Sequence, residues 1–162
     1  MRQTTGICTA SVCKRTQMTG NVMRAPYRIT RKEIRANKDT TYYVFGDNLI
    51  HKGLGGQARE MRNEPNSIGI PTKFFPSMAD QRAFFTDRVM TDDSIMQEID
   101  DAIYKIEEVL KDGYDVVIPL AGIGSVLSEL PERAPQLFNY ITQKLQFLER
   151  KYNPIAARRR NE

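Results

Sequence analysis

Three short runs of β-branched, aliphatic and aromatic residues alternate along this chain with stretches of helical spacing, and each run ends in a loop. The runs are Tyr42-Tyr43-Val44-Phe45, Ser67-Ile68-Gly69-Ile70 and Asp115-Val116-Val117-Ile118-Pro119-Leu120. A strand that is followed by a helix and then by another strand returns most simply as a parallel neighbour. The pattern therefore predicts an α/β fold, with helices layered on a largely parallel sheet.

The helical stretches carry their own signals. Ile95, Ile99, Ala102, Ile103, Ile106 and Leu110 recur at spacings of three and four and predict a helix over 94–111. Ser94 and Gln97 are spaced as a capping box at its start, and Gly113 suits its end. Leu137, Ile141, Leu145 and Leu148 predict a last helix over 131–152. Thr30 and Glu33 form another capping-box pair, and a short helix is expected over 57–62. Pro71 is expected to stop the second strand.

With 40% hydrophobic and 27% charged residues, the 162-residue chain can bury one core, and global disorder is excluded. The net charge of +4 is unevenly spread. Residues 1–35 carry +7 and residues 149–162 carry +3, whereas residues 36–148 carry −6. Residues 1–25 are accordingly read as a flexible basic extension, 26–152 as the folded domain and 153–162 as a basic tail. Basic ends serve either as solubilising tails or as electrostatic contacts to nucleic acid. Cys8 and Cys13, the two cysteines, are expected to be free thiols in the extension. His51 is the single histidine, which leaves little room for a histidine-rich zinc site; no metal and no cofactor is expected. No apolar run approaches the roughly 20 residues of a membrane span, and the N-terminus lacks the apolar region of a secretory signal. A cytoplasmic location is expected.

Three loops follow the three strands, over residues 46–56, 72–76 and 121–130. If the strands are parallel, all three open on one sheet edge, where α/β folds place their ligands. The first loop supplies Gly46, Asn48, Gly53, Gly55, Gly56 and Gln57 as candidate ligand-binding residues. Its glycines allow close backbone approach, and the helix start offers free N–H groups to a phosphate. Asp47 and Asn48 suit ribose hydroxyls or an exocyclic amine, or else an Asx turn. The second loop supplies Lys73, which suits a phosphate partner or, when desolvated, an amine nucleophile. The third supplies Gly122, Ile123, Gly124 and Ser125, a second backbone cradle for phosphate. Phe74, Phe75, Phe84 and Phe85 are expected in the core, where one of them is able to stack on a base.

Four segments in this order resemble a family of small bacterial and phage proteins related to macrodomains. They are Tyr43-Val44-Phe45-Gly46-Asp47-Asn48, Gly53-Leu54-Gly55-Gly56-Gln57-Ala58, Ile68-Gly69-Ile70-Pro71-Thr72-Lys73 and residues 119–135. The resemblance implies a three-layer α/β/α macrodomain-like fold with a mixed, largely parallel sheet. It also implies binding of ADP-ribose or a related NAD-derived nucleotide, and a site that can release ADP-ribose from modified protein or nucleic acid. In the branch that cleaves ADP-ribose from glutamate, a lysine after a strand attacks the distal ribose, and an acid in the later glycine loop assists. Lys73 matches that lysine. The acid's position falls near Ser128, with Glu129 beside it, and Asp47 is the other acid at the mouth. The catalytic candidates are therefore Lys73, Asp47 and Glu129. The alternatives are a non-catalytic reader or sequestering protein for ADP-ribose, and a nucleic-acid-binding protein that works through its basic ends. In a phage, the location would be the host cytoplasm.

Overall fold

The computed structural model describes residues 18–153. The basic ends outside that range, with Cys8 and Cys13, lie outside the described residues. Within it the chain runs β1 (Val22–Ala25), α1 (Arg31–Ala36), β2 (Thr41–Asn48), α2 (Ala58–Met61), β3 (Ser67–Lys73), α3 (Asp93–Lys111), β4 (Asp115–Pro119), α4 (Leu130–Arg133) and α5 (Pro135–Tyr152). Two 3-10 turns, Gln81–Ala83 and Asp87–Thr91, lie between β3 and α3.

The four strands form one sheet in the order β1-β4-β2-β3. All three pairings are parallel. The expected mixed sheet is thus replaced by a parallel one, and the antiparallel element among the described residues is a single bridge between Lys73 and Phe84. Two hydrophobic clusters show why helices cover both faces. On β2, Tyr43 and Phe45 join Ile34 of α1, Met61 of α2 and Val117 of β4. Val44 points the other way, with Val116, Ile118, Ile68 and Ile70, into a larger cluster with Ile99, Ile103 and Ile106 of α3 and Leu137, Ile141 and Leu145 of α5. Side chains alternate across each strand, so each strand feeds both clusters. The result is three layers, helix, sheet and helix.

Several boundaries differ from the sequence expectation for local reasons. Residues 22–25, expected in the extension, form β1, with Val22 opposite Val116 and Ala25 opposite Pro119. Pro71 does not stop β3, because β3 is an edge strand and a missing N–H is tolerated there. The first helix turn of α3 is capped by Asp92, whose Oδ1 accepts from the N–H groups of Ser94 (3.0 Å) and Ile95 (3.2 Å), not by Ser94. Thr30 does cap α1, accepting from the Glu33 N–H at 3.3 Å. The last helix is broken at Ala134, where Pro135 starts α5 afresh. No helix among the described residues is long and apolar enough to cross a membrane.

The strand order positions the site. From β2 the chain turns through α2 to β3 on one side. From the adjacent β4 it turns the other way, through α4 to α5 on the opposite face. Loops that part in this manner leave a crevice at the carboxyl ends of two neighbouring strands, the topological switch point of an open α/β sheet.

Candidate functional site

A cleft of about 590 Å³ occupies that crevice, within the size range of small-molecule sites. Its walls are residues 25–28 after β1, Phe45 and Gly46 of β2, residues 55–57 before α2 and residues 119–128 after β4. A smaller chamber of about 240 Å³ adjoins it and is lined by Asp47, Asn48, Gly53, Arg62, Lys73 and residues 76–78, among others. Gly46, Gly55, Leu127 and Ser128 line both spaces. The two are thus one composite site with an outer and an inner part.

Unpaired backbone donors line the outer part. Among the described residues, the N–H groups of Gly55 and Gly56 on one wall find no protein acceptor. Nor do those of Ile123, Gly124, Ser125 and Val126 on the other. Unpaired backbone donors need water or a ligand, and clustered N–H groups favour an anion. The loop geometry that exposes them depends on glycine. Gly124 has φ +79, and a Cβ there would lie 2.4 Å from Leu130 Cδ1. Gly53 has φ +91, and its Cβ would lie 2.6 Å from Pro76 Cβ. α2 has only four residues, so the individual amides, rather than the dipole of a long helix, provide the positive wall.

The inner chamber is organised by Asp47. Its Oδ1 accepts from Arg62 Nη2 at 2.7 Å and from the Asn48 N–H at 2.8 Å, and its Oδ2 lies 2.8 Å from His51 Nδ1. The side chains of Asp47 and Arg62 are 6% and 10% exposed. Arg62 also donates to the carbonyls of Gly53 (2.8 Å) and Lys52 (3.2 Å). The carboxylate is therefore a tether that holds the glycine loop through Arg62, and it is fully engaged. Asn48 likewise ties its own loop, with Nδ2 donating to Lys52 O at 2.7 Å. A register shift between Asp47 and Asn48 sets Asp47 opposite Pro71 and Asn48 opposite Lys73, leaving Thr72 as the bulged residue. Bulges of this kind re-aim side chains next to sites.

Lys73 is 6% exposed. Its ammonium donates to the carbonyls of Ser77 (2.5 Å) and Leu127 (3.5 Å) and lies 4.2 Å from the centre of the Phe84 ring. Desolvation pushes its pKa below the ordinary lysine value. The charge of Glu129 opposes that shift and the charge of Arg133 adds to it. Glu129 lines neither space. It sits at φ +48, and its carboxylate is paired with Arg133 Nε at 2.5 Å.

The structure thus brings together Gly46, Gly55, Gly56, Gln57, Gly122, Ile123, Gly124 and Ser125 at the outer cleft, and Asp47, Asn48, Gly53 and Lys73 at the chamber. Two of these act through less than a whole side chain. Ile123 is 2% exposed and packs in the core, leaving its backbone to the cleft, and Gln57 Oε1 accepts from the Ile29 N–H at 3.3 Å. Sequence reasoning missed Arg62 and the wall after β1. Arg62 carried no readable signal, because its role depends on a carboxylate fifteen residues earlier. The wall after β1 was hidden with β1 itself. Among the described residues, no group of three His, Cys, Asp or Glu side chains is placed to hold a metal.

The model of the Family of unknown function (DUF7831) matches residues 25–144, which include every loop of the composite site. The chain belongs to that family. No curated protein and no solved structure matches it.

Proposed function

We propose that this member of a family of unknown function binds ADP-ribose, or a closely related NAD-derived nucleotide, in the composite site. The observation that carries the reading is the pair of loops that line one crevice at the switch point and whose N–H groups find no protein acceptor. A diphosphate suits those donors, and the distal ribose then reaches toward the Lys73 chamber. The three-layer fold and the order of the motifs support a macrodomain-like identity. Isothermal calorimetry with ADP-ribose tests the proposal. One-to-one binding is expected, and the absence of heat at millimolar ligand rejects it.

A second reading, release of ADP-ribose from a modified protein or nucleic acid, is favoured by Lys73. A buried amine with a depressed pKa is neutral at a lower pH than surface lysines and is a better nucleophile. Its attack on the anomeric carbon forms a C–N bond as the C–O bond to the acceptor breaks. The amine proton leaves with the acceptor oxygen, and water then frees ADP-ribose and restores the amine. Asp47 is paired with Arg62 and Glu129 with Arg133, and Glu129 is the carboxylate whose charge acts on Lys73. Incubation with ADP-ribosylated protein and DNA decides between the readings. Released ADP-ribose that is lost in Lys73→Met supports hydrolysis, and no release at stoichiometric protein leaves binding alone.

A further inference from the structure

We infer that Ser128 is a fixed hydrogen-bond acceptor that reads a sugar hydroxyl at the junction of the outer cleft and the Lys73 chamber. The assignment rests on the nucleotide-binding reading above and specifies which part of the ligand lies where. Ser128 is 7% exposed and lines both spaces. Its Oγ lies 2.6 Å from Thr72 Oγ1, and Thr72 Oγ1 lies 3.0 Å from the carbonyl oxygen of Asp47.

Proton counting fixes the direction of this chain. A carbonyl oxygen only accepts, and a hydroxyl has one proton to give. The Thr72 proton is therefore committed to Asp47 O. The short contact between the two hydroxyls then requires Ser128 to donate to Thr72. Thr72 is 0% exposed, so water does not compete for its proton. What remains on Ser128 Oγ is lone-pair density.

Such an atom rejects groups that can only accept. A phosphate oxygen or a carboxylate placed against it would set acceptor against acceptor. A hydroxyl donates to it. The loop therefore presents N–H groups without a protein acceptor from Ile123 to Ser128 and, at its end, one side-chain acceptor, Ser128 Oγ. A ligand that satisfies both ends carries an anionic diphosphate followed by a polyhydroxylated group, the chemistry of a nucleoside diphosphate sugar. The relay depends on the bulge at Thr72, which turns that hydroxyl toward the third loop.

The test compares the folded wild-type protein with Ser128→Ala and Thr72→Val by calorimetry, using ADP-ribose, ADP and ATP. Thermal denaturation of each variant confirms that it is folded. Ser128→Ala is expected to weaken ADP-ribose about three- to tenfold, the worth of one neutral hydrogen bond, and to leave ADP unchanged. Thr72→Val keeps the volume but frees the Ser128 proton. It is expected to raise affinity for ATP relative to ADP-ribose, because the serine becomes able to donate to the third phosphate. Equal loss of ADP and ADP-ribose in Ser128→Ala, or no loss of ADP-ribose, overturns the assignment while leaving nucleotide binding standing. A wild-type protein that binds none of the three nucleotides rejects the nucleotide reading and this assignment together.

Discussion

Replacing Asp47 by alanine separates a structural carboxylate from a catalytic one. In the wild-type protein Asp47 and Arg62 face each other at 2.7 Å with both side chains almost entirely covered. Removing one partner of a buried pair costs about 3–5 kcal/mol, because the other charge is left uncompensated. Arg62 keeps the carbonyls of Gly53 and Lys52 as acceptors, so the lower end, about 3 kcal/mol, is expected. With a urea m-value of about 2 kcal/mol/M, the unfolding midpoint should fall by about 1.5 M. Asp47→Asn, which retains an acceptor for Arg62, should lose less. Arg62→Met should itself destabilise, and the double variant Asp47→Ala/Arg62→Met should cost clearly less than the sum of the two single variants. An Asp47→Ala midpoint within about 0.3 M of wild type, or strictly additive single effects, would refute the tether. ADP-ribose binding should also weaken in Asp47→Ala at temperatures where the variant is still folded, because residues 48–56 lose their anchor.

Gly124→Ala should destabilise by about 2–5 kcal/mol, combining left-handed strain with the clash against Leu130. Gly122→Ala has a similar φ of +88 but no neighbour nearer than 3.9 Å, so it should lose only the strain part, and thermal melts will rank the two. Lys73 has a folded-state pKa below its unfolded value of 10.5. Between those two values the unfolded chain binds more protons, so native stability should rise with pH through that window. Urea midpoints measured across alkaline pH should show this rise, and Lys73→Met should abolish it. The hydroxyl of Tyr140 donates to Asp100 Oδ1 at 2.6 Å, and that hydrogen bond pushes its pKa up to about 12. Ultraviolet titration of the phenols should therefore lose its latest component in Tyr140→Phe, with the earlier ones unchanged.

The parts of this fold that were legible in the sequence are those set by local periodicity. The apolar spacing of α3 survives almost residue for residue, with Ile95, Ile99, Ile103, Ile106 and Leu110 all buried. β2 and β4 were visible as β-branched and aromatic runs. β1 was not, because Val22-Met23-Arg24-Ala25 is too short to show alternation, and its burial comes from pairing with β4, ninety-four residues away at Val22 and Val116. Pro71 and Ser94 misled for a related reason. Each is a strong local signal, but strand position in the sheet overrode the first and a better-placed Asp92 overrode the second. At the site, glycines and Lys73 were readable as residue types. The engagement of Asp47 by Arg62, the pairing of Glu129 with Arg133 and the Ser128–Thr72 relay were not, since they rest on contacts that only the folded chain creates.

The central claim is that one crevice, built from the loops after β2 and β4, holds the nucleotide. Backbone amide chemical shifts recorded during an ADP-ribose titration test it most directly. The account predicts saturable shifts concentrated at Gly55, Gly56 and residues 123–126, with a smaller response at Ser128 and Lys73. Shifts confined to other surfaces, or no shifts at millimolar ADP-ribose, would contradict it.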